Sequence, residues 1–224
     1  DGVMNEPPIR WFVTGDDEYH EEHEWPLART QWTDFYLRSF GRLSVEPETW
    51  GEIEPDGYTQ APLLVTNKIE TVSYMTGTMP RDMEVSGPIT LYLCSSIDTD
   101  DAYIKATVYD RAPDGKERAL THGHLRMSHR KLDLEKSKPW QPFHDHTEAG
   151  RTPVVPGEVN EYAIELYPFM HVFLKGHVLR LELCSMDLPG AAFSYHVGSA
   201  KTVSHKFYRD SLYRSRLHLP VIPR

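Results

Sequence analysis

The sequence predicts an all-β chain, a β-sandwich of jelly-roll form, built as one domain over residues 1–224. Three observations carry that prediction. Short stretches alternate apolar and polar residues with period two, Gly, Pro and Asp punctuate them, and no strand pattern alternates with a helical one. Hydrophobic residues make up 39% and aromatics 11% of the 224 residues, which is enough apolar material for a packed core.

The first strands are expected in "IRWFVTG", "FYLRS" and "KIETVSYMT". "PITLYLCSSI" places Ile89, Leu91 and Leu93 on one face and Tyr92 and Cys94 on the other. "AYIKATVYD" sets Ile104, Ala106 and Val108 against Tyr103, Lys105, Thr107 and Tyr109, then stops at "APDG", where Pro113 and Gly115 favour a turn. "GHLRMSHR", "VNEYAIELYP", "GHVLRLELCS" and "RLHLPVI" complete a set of about eight to ten strands. In the third of these, Leu179, Leu181 and Leu183 face one way. Helical patterning is confined to a turn or two around "HRKLDLEKS" and "KTVSHKFYRD". Two long Pro-containing loops, Glu46 to Pro62 and Lys136 to Pro156, interrupt the strands. Loops of that length usually carry a contact or a function.

A formal charge of −9, with no Lys/Arg run, argues against a nucleic-acid partner. The longest apolar runs are far short of a membrane span, and "DGVMNEPPIRW" has neither the basic nor the apolar region of a signal peptide. A soluble, cytoplasmic chain is the expectation. Its start at Asp1 rather than Met fits a piece of something longer. Cys94 and Cys184 lie in the matching contexts "LYLCSS" and "LELCSM". A disulfide would require those strands to be neighbours; two buried thiols in a reducing cytoplasm are expected instead.

Four groups of residues bear on chemistry. His122 and His124 would share a strand face about 7 Å apart, a spacing that can chelate a metal. His144 and His146 could complete a four-histidine shell, but no zinc motif accompanies them and the plain expectation is a polar strand face under a loop. Asp98, Asp100 and Asp101 crowd one connection in a way calcium favours, yet the EF-hand pattern is missing and an Asp-rich turn needs no ion. Ser194, His196, Ser199 and His205 are close in sequence without any Gly-x-Ser-x-Gly elbow, so no catalytic residue and no cofactor is assigned. Trp11, Trp25, Trp32, Trp50 and Trp140 could form a sugar platform, making a stand-alone carbohydrate-binding module the alternative function; aromatics at strand edges more often mark an interface.

The order of motifs adds a further observation. "PPIRWFVTGDDEYHEEHEWPLARTQWTDFYLRSFGRLS", "YMTGTMPRDMEVSGPITLYLCSSIDTDDAYIKATVYDRAPDGKERALTHGHLRMSHR", "PVVPGEVNEYAIELYPFMHVFLKGHVLRLELCSMD" and "HLPVIP" together resemble the C-terminal domain of the X-Pro dipeptidyl-peptidase and cocaine-esterase (CocE/NonD) serine hydrolases. Within "HGHLRMSHR", the family's strand pattern falls on Gly123, Leu125, Arg126, Ser128 and Arg130. Glu18-Tyr19 and Gly176-His177-Val178 depart from the family's usual residues. The resemblance implies a jelly roll of galactose-binding-like type that is inert alone. It also implies an N-terminal α/β-hydrolase domain of the same polypeptide as partner, carrying Ser, Asp and His for acyl transfer to water from a peptide, ester or amide. The sandwich would wall that partner's substrate pocket, with Tyr58 and Gln60 as pocket residues, and could bury a sheet face against it or against a second subunit in a homo-oligomer.

Overall fold

Period-two alternation becomes strands wherever one side chain in two meets the core. The computed structural model describes residues 2–47, 54–62, 65–186 and 201–224. Among the described residues the strands are β1 (Ile9–Val13), β2 (Glu18–Glu22), β3 (Gln31–Arg38), β4 (Arg42–Ser44), β5 (Asp56–Gln60), β6 (Val72–Met75) and β7 (Met83–Ile97). They continue with β8 (Tyr103–Arg111), β9 (Glu117–Arg126), β10 (Asn160–Phe173), β11 (Val178–Cys184), β12 (Val203–Tyr208) and β13 (Arg216–Ile222). β1 and β2 form a separate hairpin, and the other strands run β5-β12-β7-β13-β3-β4-β6-β11-β8-β9, with β10 on the second edge of β7.

The far edge of β10 lies against β9. Thr121 Oγ1 donates to Tyr167 O at 2.6 Å, and a Cβ on Gly123 would sit 2.1 Å from Glu165 O. Only glycine permits that approach, so the sheet wraps round into a sandwich closed on this side. One core fills it, drawn from nearly every strand: Phe35, Tyr74, Ile89, Ile104, Ile164, Leu181, Phe207 and Leu217 are among its buried members. A smaller cluster of Trp11, Val13, Leu27, Val172 and Ile222 seats the β1–β2 hairpin.

Leu179, Leu181 and Leu183 are fully buried, as their alternation predicts. β7 departs from its pattern, since Cys94 is also buried and Tyr92 is half-buried. For Tyr92 the reason lies in the loop over residues 136–146, which drapes the outer face of β7: Tyr92 Oη donates to Pro139 O at 2.5 Å. Three further expectations are corrected. "KTVSHKFYRD" contains β12 rather than a helical turn, because Val203, His205 and Phe207 alternate inward. The loop from Glu46 to Pro62 contains β5. The "GHLRMSHR" strand ends at Arg126, passing into a single 3-10 turn over Met127–His129, while "KLDLEKS" is a loop. Cys94 and Cys184 are free and buried on strands that are not neighbours. No helix among the described residues is long and apolar enough to cross a membrane.

Candidate functional site

Among the described residues β5 is an edge strand, paired on one side only, with β12. Gly57 makes the pairing tight, for a Cβ there would lie 2.2 Å from His205 O. Tyr58 lies half-buried on the inward side, its ring 5.0 Å from His205 and 5.7 Å from Phe207, and burial raises its hydroxyl pKa far above the ordinary value. Gln60 is 1% exposed. Its amide nitrogen donates to Ala61 O and Lys68 O at 2.7 and 3.0 Å, while its carbonyl accepts from Glu70 N at 2.8 Å. One side chain therefore ties Ala61 to Lys68 and Glu70.

The start of β5 is held by charge. Arg209 reaches both oxygens of Asp56, Nε at 2.6 Å and an Nη at 3.1 Å, and its other Nη donates to Ser39 Oγ at 2.9 Å. The hydroxyl of Tyr74, a core residue, donates to the same carboxylate at 2.9 Å. A bidentate Arg–Asp pair at the core margin is stiff as well as strong. His205, 1% exposed between these groups, has its imidazole pushed down to about 4 by burial, against a smaller opposing effect of Asp98. It is neutral near pH 7 and has no access to water. Ser194, His196 and Ser199 lie outside the described residues, as does Trp50.

The three aspartates of the β7–β8 connection separate in space. Asp98 accepts from Ser204 N at 2.8 Å, and Asp100 faces Lys201 at 3.9 Å. Asp101 is buried and takes four hydrogen bonds, from Arg126 Nε (2.9 Å), Ser128 Oγ (2.8 Å), Ser128 N (3.1 Å) and Ala102 N (3.0 Å). Those bonds explain the "LRMS" pattern: Leu125 fills the core while Arg126 and Ser128 neutralise and saturate one buried carboxylate. Arg130 reaches Thr152 O at 2.6 Å, fastening the next loop.

The histidine stretch converges more than its sequence spacing requires. His124, His144 and His146 line one cavity of about 420 Å³ together with Phe143, Leu166 and Glu165. His122 stands edge-on to His124 at 5.3 Å and packs on Tyr167. His144 Nε2 donates to Ala163 O at 2.7 Å, which fixes its tautomer because a carbonyl only accepts. Among the described residues, however, the one group of three or more His, Cys, Asp or Glu side chains with ligand atoms within 4.8 Å of one another is Asp16, Glu18 and His20. Neither the four histidines nor the three aspartates form such a group. At the Asp16 cluster, Arg224 already pairs with Asp16 and with buried Glu84.

The aromatics are largely spent on one another. Trp140, from the draped loop, stacks parallel on Trp32 at 5.9 Å, and Trp32 stacks on His218 at 5.1 Å. His218 Nδ1 donates to Asp34 at 2.7 Å and holds that carboxyl below the usual range. Trp11 is 7% exposed and takes the edge of Trp25 at 5.3 Å. Trp25 keeps 40% of its surface in solvent.

Sequence reasoning missed a buried hub, Asp110. His171 Nε2 and His177 Nδ1 donate to it at 3.1 and 2.9 Å, and Thr14 Oγ1 meets His171 Nδ1 at 2.8 Å. Burial pushes Asp110 up, but the two histidine hydrogen bonds outweigh it and hold the carboxyl below its ordinary value. The chain thereby bolts the β1–β2 hairpin to the sandwich. Its members lie just after β1, on β8 and β10, and in the turn before β11, so no local pattern announces it.

A family model described as the X-Pro dipeptidyl-peptidase C-terminal non-catalytic domain matches residues 1–218. Cocaine esterase of Rhodococcus sp. is 26% identical over 263 aligned positions, which take in 100% of this chain and 43% of the esterase. A CocE/NonD family hydrolase from Staphylococcus aureus superposes with a TM-score of 0.83 at 22% identity, covering 100% of this chain and 42% of the hydrolase. An aminopeptidase from a marine sediment Thaumarchaeota archaeon gives 0.79 at 18% identity, over 97% and 40% of the two chains. The chain spans about two fifths of the length of the curated relatives it matches, 38% to 43%.

Proposed function

The chain belongs to the family of X-Pro dipeptidyl-peptidase C-terminal non-catalytic domains, and from that premise we propose that it serves a serine hydrolase of the CocE/NonD type as an accessory sandwich. In this reading it packs on an N-terminal α/β-hydrolase domain and walls that domain's substrate pocket. The parent enzyme cleaves a peptide, ester or amide by acyl transfer, with Ser as nucleophile, His as general base and Asp orienting the His. The observation that carries the reading is the family match across residues 1–218 of a chain spanning about two fifths of its relatives.

The β5 end of the sandwich is the surface we assign to that task. An unpaired strand edge invites cover, and here the edge is rigidly held rather than blunted. Gln60 belongs to the wall by fixing the turn after β5, and Tyr58 by bracing the strand on His205. A wall built this way would exclude water from the acyl pocket without contributing a reactive group. A homo-oligomer would cover the same edge with a second copy. Two free, buried cysteines suit a reducing, cytoplasmic setting.

The test is hydrolysis of p-nitrophenyl esters by the 224-residue chain. Turnover should equal the uncatalysed blank, and should appear only when the catalytic segment is supplied. Turnover by the chain alone that a serine-directed phosphonate abolishes would overturn the proposal.

A further inference from the structure

β7 runs the length of the sandwich, so its ends, Met83 and Ile97, lie up to roughly 45 Å apart. Ile97 pairs with His205 beside the β5 wall, whereas Met83 belongs to the opposite mouth. That mouth is an open groove of about 990 Å³. Its floor is apolar, formed by Phe35, Val45, Met79, Met83 and Val221. Phe35 and Met79 are core residues, and Val45 leaves 55% of its surface in solvent. The groove therefore touches the core only at the margins of Phe35 and Met79, each 7% exposed, and its open apolar surface comes mainly from Val45, Met83 and Val221.

Arg81 and Lys175, both exposed, stand at its rim. Among the described residues neither side chain makes an ion pair, in a chain whose formal charge is −9. The rim also carries one carboxylate, Asp82, which keeps its negative charge, and a third cation, Arg224. Asp82 accepts the backbone N–H of Lys175 at 2.7 Å, and Arg224 is held by Asp16 and Glu84. An apolar floor of ligand-pocket size beneath two unpaired cations is complementary to a molecule with an apolar body and an anionic head.

We propose that the groove between Met79–Met83 and Val221, rimmed by Arg81 and Lys175, is a binding site for an amphipathic carboxylate, its chain laid on Phe35, Met79 and Met83 and its carboxylate between the two cations. The site lies at the other end of the sandwich from the proposed pocket wall and stands independently of it. An inactive parent or a chain that never meets a hydrolase domain would leave it intact.

Met79 and Met83 supply the probe. In the 224-residue chain with carbon-13 methyl-labelled methionine, dodecanoate below its micelle concentration should shift these two methyl resonances saturably. Met127 and Met186, buried elsewhere, should stay in place. Dodecanol should bind about tenfold more weakly or worse, and dodecyltrimethylammonium should not bind. Arg81→Glu with Lys175→Glu should abolish the preference for the carboxylate, Arg81→Lys with Lys175→Arg should keep it, and an unchanged unfolding midpoint checks that each variant is folded. Equal binding of acid and alcohol, shifts centred on other methionines, or no shift at millimolar dodecanoate would each overturn the proposal.

Discussion

The two ends of the sandwich treat polar groups in opposite ways. At the β5 end Asp56, Gln60, Asp101 and Arg209 turn inward, and their hydrogen bonds are made within the chain. At the mouth near Met83, Arg81 and Lys175 turn outward beside apolar floor left uncovered. A buried, bonded polar group specifies shape, since an unpaired one would be costly there. An exposed, unpaired charge beside apolar surface is free to specify a partner. One fold thus carries a stiffened end and a receptive end.

The contrast breaks most severely at Asp56. Asp56→Ala removes the bidentate partner of Arg209 and the acceptor of Tyr74 Oη, so we expect a loss of about 3–5 kcal/mol, read by chemical denaturation at neutral pH. Acid should strike the same end next. His205 is held neutral, with its imidazole near 4 against an ordinary 6.5. Its contribution to stability is therefore fully present above pH 6.5, falls as the unfolded chain takes up the proton, and is lost by about pH 4. The total is roughly 3 kcal/mol. His205→Phe should flatten that portion of the stability profile between pH 6.5 and 4, and an unaltered slope would show that other groups set it.

Gln60→Leu should act on the same end more gently. Losing three hydrogen bonds at a buried amide should cost about 1–3 kcal/mol. Hydrogen exchange at Glu70, whose amide loses its acceptor, should accelerate before exchange in the core strands. The mouth should barely respond. Arg81→Glu with Lys175→Glu is expected to move stability by less than about 0.5 kcal/mol, because the side chains hold nothing in place.

How much of this was legible beforehand follows from distance along the chain. Alternation in Leu179, Leu181 and Leu183 is local and reads directly as a half-buried strand. At β7 the same code fails on its outer face, where the loop carrying Pro139 and Trp140 covers Tyr92 from far along the sequence. "KTVSHKFYRD" reads locally as a helical turn, although its inward residues alternate with period two once β5 and β7 flank them. The histidine stretch offers a metal alternative only because like residues are close in sequence. In space His124, His144 and His146 share a cavity wall without converging on a common point, while the groups that do hold charge, Asp101 with Arg126 and Asp56 with Arg209, are unlike residues brought together by folding. The family pattern at Gly123, Leu125, Arg126 and Ser128 was visible as a motif, but its physical content, one saturated buried carboxylate, needed three dimensions.

In the proposed assembly the stiff β5 end meets a catalytic domain while the mouth stays free. Hydrogen exchange read by mass spectrometry, comparing the 224-residue chain alone with the same residues joined to the catalytic segment, tests it most directly. Protection gained over residues 54–62 and 201–209, with residues 79–83 and 175–177 unchanged, is the predicted result. Protection gained at the mouth while the β5 edge exchanges as before would contradict the account.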